Sequence, residues 1–362
     1  MVSAIKGRPA HPSGAQITED LATRTKSDPL FWPDHAVTAE IPRWVLSGTR
    51  SVMQSFDGHP MMVTEWRVKN PRATLVLFQG RAESAFRWEE PARVFNRAGI
   101  DVITLDWPGQ GMSGRFADGN AHHGDVRELV THGRHFIEAL EREGKLTPPV
   151  TVQGYSMGGC IAAALAVDPP KSVDRVILHQ PMTDFHPKSV TDASPTLGRL
   201  LQLGIRPYVL AGLTGSALCL TNPSLRTAPT WGTERDLLRY FDDGPWLSTK
   251  DGRRRDRERR AAHALPSMNV SGFTWDATVS AAKLIGEVMW NANRIELSTL
   301  IVSGEDDRVV CNDSHERIHQ LIENSERVLI PDTGHAAHVC EKPARRAYFD
   351  AVVPFILSCG NA

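Results

Sequence analysis

With 362 residues, 41% hydrophobic and 23% charged, the chain has a globular composition, enough for one large α/β domain with an insertion or for two ordinary domains. The 41 Lys and Arg against 42 Asp and Glu leave a net charge of -1, so no global field recruits nucleic acid or anionic lipid. Five cysteines, Cys160, Cys219, Cys311, Cys340 and Cys359, are odd in number, scattered and without C-x-x-C spacing, which argues against a disulfide framework or a zinc site. Met1 to Pro12 carries only Lys6 and Arg8 as charges and no long apolar stretch, so it does not read as a secretory signal. No apolar run approaches the roughly 20 residues that span a bilayer. The expectation is a cytoplasmic protein whose membrane contact, where it has any, is local and peripheral.

Residues 1–50 are rich in Pro, Thr and polar side chains and lack a clear period, which predicts an N-terminal arm. Strand and helix patterns then alternate. Met61 to Val68, Thr74 to Phe78, Ile100 to Leu105, Val150 to Gln153 and Val173 to His179 read as strands. Trp88 to Ala98, Val126 to Arg142 and Ser156 to Val167 read as helices. Continuous apolar strands alternating with helices imply an α/β fold, a mostly parallel, doubly wound sheet covered on both faces. Residues 51–180 form the first part of this core. The alternation breaks from Pro181 to Trp290, where Leu197 to Leu220 is apolar with helical spacing and Lys250 to Arg260 is a dense charge run. With Asp251, Asp256 and Glu258 interleaved, that run reads most simply as a solvated face. Residues 181–290 are therefore expected to be a helical cap over the carboxyl ends of the strands, where open α/β sheets bind ligands. Strands at Thr299 to Val302 and Arg327 to Ile330 resume the core over 291–362.

Gly154-Tyr155-Ser156-Met157-Gly158-Gly159 stands between an apolar strand and a small-residue helix, which is the setting of a G-x-S-x-G nucleophile elbow. The turn is tight enough that a Cβ at the flanking glycines would strike the neighbouring strand or helix, and it lifts Ser156 to where a base reaches it. Cys160, just behind, reads as a small core residue of the helix rather than a nucleophile. A serine hydroxyl needs a base within hydrogen-bond reach and an acid to hold that base, and in this topology the chain order is Ser, acid, His. Gly304-Glu305-Asp306-Asp307-Arg308-Val309-Val310 and Pro331-Asp332-Thr333-Gly334-His335 each follow a strand, in that order. Asp306 and Asp307 compete for the acid role, and the G-x-x-D-x-x-V pattern favours Asp307. His335 outranks His338 as base, and the pair His122-His123 comes too early in the chain. The two backbone N–H donors that a tetrahedral intermediate requires are expected from Met157 and from Arg81, the latter in the Gln79-Gly80-Arg81-Ala82-Glu83 loop, where the Arg81 and Glu83 side chains read as a surface pair. The glycines of Asp106-Trp107-Pro108-Gly109-Gln110-Gly111-Met112-Ser113-Gly114 read as structural, since no G-K-[ST] helix follows.

These stretches resemble the α/β-hydrolase superfamily, and within it the bacterial lysophospholipase and monoacylglycerol lipase group, which overlaps the serine aminopeptidase-like hydrolases. Phe78 to Ser84, Asp106 to Arg115, Gly154 to Cys160, Gly304 to Val310 and Asp332 to His335 carry the likeness, over about Met61 to Cys359. Gln79-Gly80 stands where many relatives have His-Gly, and Ala336 where many have Glu. The resemblance implies hydrolysis of an acyl ester of glycerol or of a glycerophosphodiester, with no metal or organic cofactor.

The leading expectation is thus a serine ester hydrolase acting on a monoacyl lipid, with Leu200, Leu201, Leu203, Ile205, Val209, Leu210 and Leu213 offering an acyl-lining cap segment. A cap helix merely packed on its own domain explains the same residues. A soluble carboxylesterase of the same mechanism is the first alternative. An aminopeptidase is another, and would need Glu234, Asp236, Asp242 or Asp243 to hold a free amine. A catalytically silent binding protein is a third reading, disfavoured by an ordered Ser, Asp and His. The expected partner is a small acyl ester, with no nucleic acid; the oligomeric state is not legible.

Overall fold

Apolar runs whose side chains alternate between two faces build the sheet. The computed structural model describes residues 48–81, 83–113, 125–187, 195–226, 229–231, 273–340 and 343–358. Its strands are β1 (Thr49–Gln54), β2 (Pro60–Trp66), β3 (Ala73–Phe78), β4 (Ile100–Leu105), β5 (Val150–Tyr155), β6 (Arg175–His179), β7 (Pro229–Trp231), β8 (Phe273–Thr274), β9 (Ser298–Gly304) and β10 (Ser325–Ile330). Its helices are α1 (Glu89–Arg97), α2 (Glu128–Arg142), α3 (Met157–Ala166), α4 (Pro195–Gln202), α5 (Pro207–Thr221), α6 (Trp275–Asn291), α7 (Asn312–Leu321) and α8 (Ala344–Leu357). Eight strands join in the order β1-β2-β4-β3-β5-β6-β9-β10, with β7 and β8 a separate pair. The β1–β2 and β2–β4 pairings are antiparallel and the remainder of the large sheet is parallel. This is the doubly wound architecture the sequence predicts.

The two faces bury separate cores. Val150 and Val152 of β5, with Val76 and Phe78 of β3, join Phe136, Ile161 and Leu284 from α2, α3 and α6. Tyr155, Leu75 and Leu77, offset by one in the pleat, join Trp88, Phe95, Tyr348 and Val352 on the side of α1 and α8. Each such fully buried side chain contributes about 1.5–3 kcal/mol by removal from water. After β3 the chain crosses to β4 on one side, and β5 then adds to the other side of β3. The crevice at the carboxyl ends of β3 and β5 is therefore the topological switch point where open α/β sheets place their ligands.

Three differences from the sequence reading have physical causes. The predicted arm ends early: β1 pairs along β2 from Thr49↔Glu65 to Gln54↔Pro60, closing through a turn at Asp57-Gly58 where Gly58 takes φ +81°. An Asp-Gly step between two short β-rich runs is the sequence signal for this hairpin. Residues 1–47 lie outside the described residues. The single predicted apolar helix of 197–220 is two helices, because Gly204 at φ +80° ends the first and Pro207 begins the second. The 17-residue helix α6, within the expected 181–290 interruption for all but its last residue, packs on the core as well as on α5. Its Ala277, Ala281, Leu284, Ile285 and Val288 join the α2–α3 side of the sheet. Thr274 caps it, accepting the Ala277 N–H at 3.2 Å. The charge run 250–260 lies outside the described residues. No helix of the described residues is long and apolar enough to cross a membrane.

Helix α5 lies against α6 through its glycines. A Cβ added at Gly212 would be 3.0 Å from Ala282 Cβ, and one at Gly215 would be 2.7 Å from Val279 Cγ2. Gly215→Val is therefore expected to force the helices apart and to destabilise the fold by about 1–3 kcal/mol, measured as a lower urea midpoint at unchanged slope.

Candidate active site

At the end of β5 the backbone turns so sharply that Ser156, the first residue beyond the strand, takes φ 55° and ψ -117°, a region L-residues rarely adopt. The flanking glycines make this turn sterically allowed. A Cβ at Gly154 would lie 2.1 Å from the Gly158 carbonyl oxygen, one at Gly158 2.1 Å from the Phe78 oxygen, and one at Gly159 2.7 Å from Pro181 Cα. Ser156 is also held from both sides, its N–H donating to the His179 carbonyl at 3.0 Å and its carbonyl accepting from Met182 at 2.9 Å.

The residues expected as acid and base converge on this serine. His335 Nε2 is 2.9 Å from Ser156 Oγ, and its Nδ1 is 2.7 Å from Asp307 Oδ2. A carboxylate only accepts, so Nδ1 carries the proton and Nε2 presents its lone pair to the serine hydroxyl. The Asp307 side chain is buried, and its other oxygen accepts the N–H groups of Val309 at 2.8 Å and Val310 at 3.1 Å. Burial alone pushes this carboxyl up, but the charge and hydrogen bond of His335, the field of His315 and the Val309 N–H outweigh it, so its pKa lies below the usual carboxylate value. Asp306 and Glu305 are exposed, and neither approaches His335 in this way. His338 is buried with its ring stacked on Trp88, centroids 4.1 Å apart, as a core histidine. His122 and His123 lie outside the described residues.

Met157 opens α3, and the first N–H groups of a helix have no acceptor within it and lie at the positive end of its dipole. Arg81 sits in the turn after β3, and this turn abuts the elbow: a Cβ at Gly80 would be 3.0 Å from the Tyr155 ring. The Glu83 side chain does not behave as a surface charge. It is buried, accepts the Gly80 N–H at 3.0 Å and pairs with Arg87 at 2.8 Å, since a turn folded against the sheet leaves that N–H without water. Gln79 directs its side chain inward. Its Nε2 donates to Thr104 Oγ1 at 3.0 Å and Asp106 Oδ1 at 2.9 Å, while its backbone carbonyl accepts from Trp107 Nε1 at 2.9 Å.

Asp106 clasps the whole loop. It also accepts the N–H groups of Ala85 at 2.8 Å and Met112 at 2.7 Å, and Gly111, at φ +52°, must lack a Cβ because one would lie 2.2 Å from Asp106 Oδ2. Complete burial raises the Asp106 pKa despite these donors and the field of buried Arg50 on β1. Burial likewise pushes the Cys160 thiol up, which leaves it a core residue and no nucleophile.

Two residues next to the triad-like cluster escaped the sequence reading. Gln180, at φ 46°, donates from Nε2 to the Gly334 carbonyl at 2.6 Å and to Asp307 Oδ2 at 3.2 Å. His315 of α7 is buried behind Asp307, with Nε2 2.8 Å from the Pro181 carbonyl and Nδ1 3.0 Å from Ser303 Oγ. The carbonyl fixes the proton on Nε2, so Ser303 donates to Nδ1. Neither residue belongs to a spaced motif, so only their position could reveal them. Glu234, Asp236, Asp242 and Asp243 lie outside the described residues. Of the apolar segment, Leu210 is buried, whereas Leu203 and Leu213 are exposed.

The family described as "Serine aminopeptidase, S33" matches residues 69–342. The Haemophilus influenzae protein named "Probable lysophospholipase L2" is 23% identical over 320 residues, covering 88% of this chain and 92% of that protein. Human monoglyceride lipase is 26% identical over 164 residues, covering 45% of this chain and 52% of its own length. The fold is shared with a soluble variant of monoglyceride lipase from Saccharomyces cerevisiae, solved with a substrate analog, at a TM-score of 0.64 and 16% identity over 84% of this chain and 94% of that one.

His315 supplies a test of the local electrostatics. Burial lowers its pKa from 6.5 to about 4, so between these values the unfolded chain binds a proton that the folded one refuses. The stability that neutral His315 contributes is complete above pH 6.5 and is lost as pH falls through about 4. His315→Gln keeps a donor for Pro181 and an acceptor for Ser303 but cannot titrate. The Tm advantage of wild type over this variant is expected to hold from pH 7.5 to about 6.5 and to shrink from there to pH 4.5 in thermal melts, and a constant gap would contradict the assignment.

Proposed function

The chain belongs to the family described as "Serine aminopeptidase, S33", among ester-hydrolysing α/β-hydrolases, and from that premise we propose that it cleaves the acyl ester of a monoacyl lipid through Ser156, His335 and Asp307. The observation that carries this reading is the continuous relay from Asp307 Oδ2 to His335 at 2.7 Å and from His335 to Ser156 Oγ at 2.9 Å. His335 Nε2 takes the hydroxyl proton as Ser156 Oγ attacks the ester carbonyl carbon, and Asp307 holds the imidazole in the required tautomer and stabilises the imidazolium. The N–H groups of Met157 and Arg81 receive the developing oxyanion, with the α3 dipole aiding the former. His335 then returns the proton to the departing alcohol. Water, activated by the same imidazole, releases the fatty acid from the acyl-serine and restores the hydroxyl.

The substrate class rests on the relatives, whose names include lysophospholipase and monoglyceride lipase, and on the apolar character of the segment from α4 to α5. It implies a peripheral relation to lipid surfaces. No step draws on a metal. A soluble carboxylesterase would share every step, and an aminopeptidase would need an amine-holding acid in addition.

Fatty-acid release from monooleoylglycerol and oleoyl-lysophosphatidylcholine, set beside p-nitrophenyl acetate and an aminoacyl anilide, separates these readings. Wild type is expected to release oleate from at least one lipid, and Ser156→Ala to lose about 10⁴-fold or more in kcat at unchanged Tm. Turnover of the short ester alone would replace the lipid reading, and an active Ser156→Ala would remove the triad.

A further inference from the structure

We propose that Gln180 is a positioning residue that locks the acid and base loops to each other, a role that rests on the Ser156, His335, Asp307 reading. Its carboxamide is completely buried, and its hydrogen bonds end on both loops at once. Nε2 donates to the Gly334 carbonyl at 2.6 Å, one residue before His335, and to Asp307 Oδ2 at 3.2 Å. Oε1 accepts the Ala337 N–H at 3.3 Å, two residues after His335. The base loop is thereby held on either side of the imidazole by one side chain that also touches the acid. The amide can face only one way. Turned over, its oxygen would meet two acceptors and its nitrogen a donor.

The backbone gives this side chain no freedom. Gln180 N–H donates to the Val302 carbonyl of β9 at 2.7 Å, and φ is 46°, a left-handed conformation that favours glycine. Glycine could not supply the carboxamide. Gly304, which the sequence presents as the turn glycine of the acid motif, clears the path: a Cβ there would lie 2.6 Å from Gln180 Nε2 and 2.4 Å from the Gly334 oxygen. Asp307 Oδ2 consequently takes two donors, His335 and Gln180, and Oδ1 takes two backbone N–H groups, so its plane is fixed from four directions. Tyr155, the residue before the nucleophile, adds a third grip on the base loop by donating its hydroxyl to the His335 carbonyl at 2.9 Å.

The surrounding titratable groups leave the pH response readable. His315 on α7 and His179 on β6 are both depressed by burial, His315 to about 4, and stay neutral where the enzyme is assayed. Glu305 and Asp332, joined by a hydrogen bond from the Asp332 N–H, are exposed at the outer edge of the loops.

Gln180→Met keeps the length and removes the donors and the acceptor; Gln180→Glu keeps the shape and sets a second carboxyl against Asp307. With p-nitrophenyl butyrate as probe and Ser156→Ala alongside, Gln180→Met is expected to lower kcat by at least about tenfold with KM nearly unchanged, because a misplacement of about 1 Å in a catalytic group costs on the order of 100-fold. Labelling of Ser156 by a fluorophosphonate should slow in proportion. Gln180→Glu, whose carboxyl is held protonated by burial and by Asp307, keeps the acceptor and one of the two donated bonds and is expected to lower kcat, though less than Gln180→Met. A folded Gln180→Met with the kcat, labelling rate and pH profile of wild type overturns the proposal. Should that variant not fold, a wild-type kcat and labelling rate in Gln180→Glu overturn it instead. An inactive Ser156→Ala with unaltered Gln180 variants sinks this inference alone, whereas an active Ser156→Ala sinks the triad reading beneath it.

Discussion

The turn at Ser156 is the constraint to which the surrounding structure answers. A non-glycine residue at φ 55° and ψ -117° costs about 1–3 kcal/mol and persists only where its neighbours over-determine it. Here the determination comes from contact rather than from a single bond. The Phe78 carbonyl at the end of β3 comes so near Gly158 that no side chain fits between them, and Pro181 at the end of β6 does the same at Gly159. The start of α3 is thus wedged between the exits of the two strands that flank β5. Relaxing the serine would mean moving one of three parallel strands whose side chains fill both cores, so the strain is borne by the sheet.

Around that fixed point, buried carboxyls are driven in opposite directions by their partners. Asp307 is desolvated, yet its pKa falls, because an imidazole, a second buried histidine and backbone N–H groups surround it. Asp106 receives comparable hydrogen bonds, yet its pKa rises, because complete burial outweighs them and its nearest cationic field is that of Arg50, itself desolvated. The first arrangement suits a group that must stay ionised beside a base through a reaction cycle. The second suits a clasp, whose value lies in the Gln79, Ala85 and Met112 donors it gathers. A third case, Asp184, is pushed up to about 6 by burial and sits at the start of α5, accepting the Tyr208 N–H at 2.9 Å.

How much of this was legible in the sequence depended on whether a residue sat in a spaced motif. Ser156, Asp307 and His335 each follow a strand with a recognisable turn, so residue type, order and context together picked out the residues the fold gathers. The parallel strands were legible because burial on both faces demands unbroken apolar runs. Strand β1 was missed because an antiparallel edge strand with one wet face reads as polar, and its pattern TRSVMQ is short. Helix α6 was missed because it ends a polar, irregular stretch, although Thr274 before Asp276 and Ala277 marks its cap. Gln180 and His315 were illegible for a different reason. Their partners are distant in sequence, 127 residues from Gln180 to Asp307 and 134 from His315 to Pro181, and a lone polar residue after a strand carries no signal of what the fold brings to it.

The same long-range links join the insertion to the chemistry. Helix α5 is fastened at its first turn to Asp184, four residues beyond Gln180, and lies along α6 through Gly212 and Gly215. Helix α6 in turn shares the core of α3, the helix that begins at Met157. An apolar segment anchored in this way at both its start and its side is held in register with Ser156 by backbone contacts and glycines, which do not depend on the identity of its other side chains. Under the proposed reading, evolution can therefore change the residues that α4 and α5 present to an acyl chain without disturbing Ser156. Substitutions at the glycine contacts instead act through the position of α3 and so, on the same reading, reach the Met157 N–H. On that reading the separation explains why the sheet-borne motifs announce the reaction so clearly while the insertion leaves the acyl length and headgroup unspecified: the proposed chemistry is fixed by close backbone approach, and the proposed substrate choice by side chains that packing leaves free to vary.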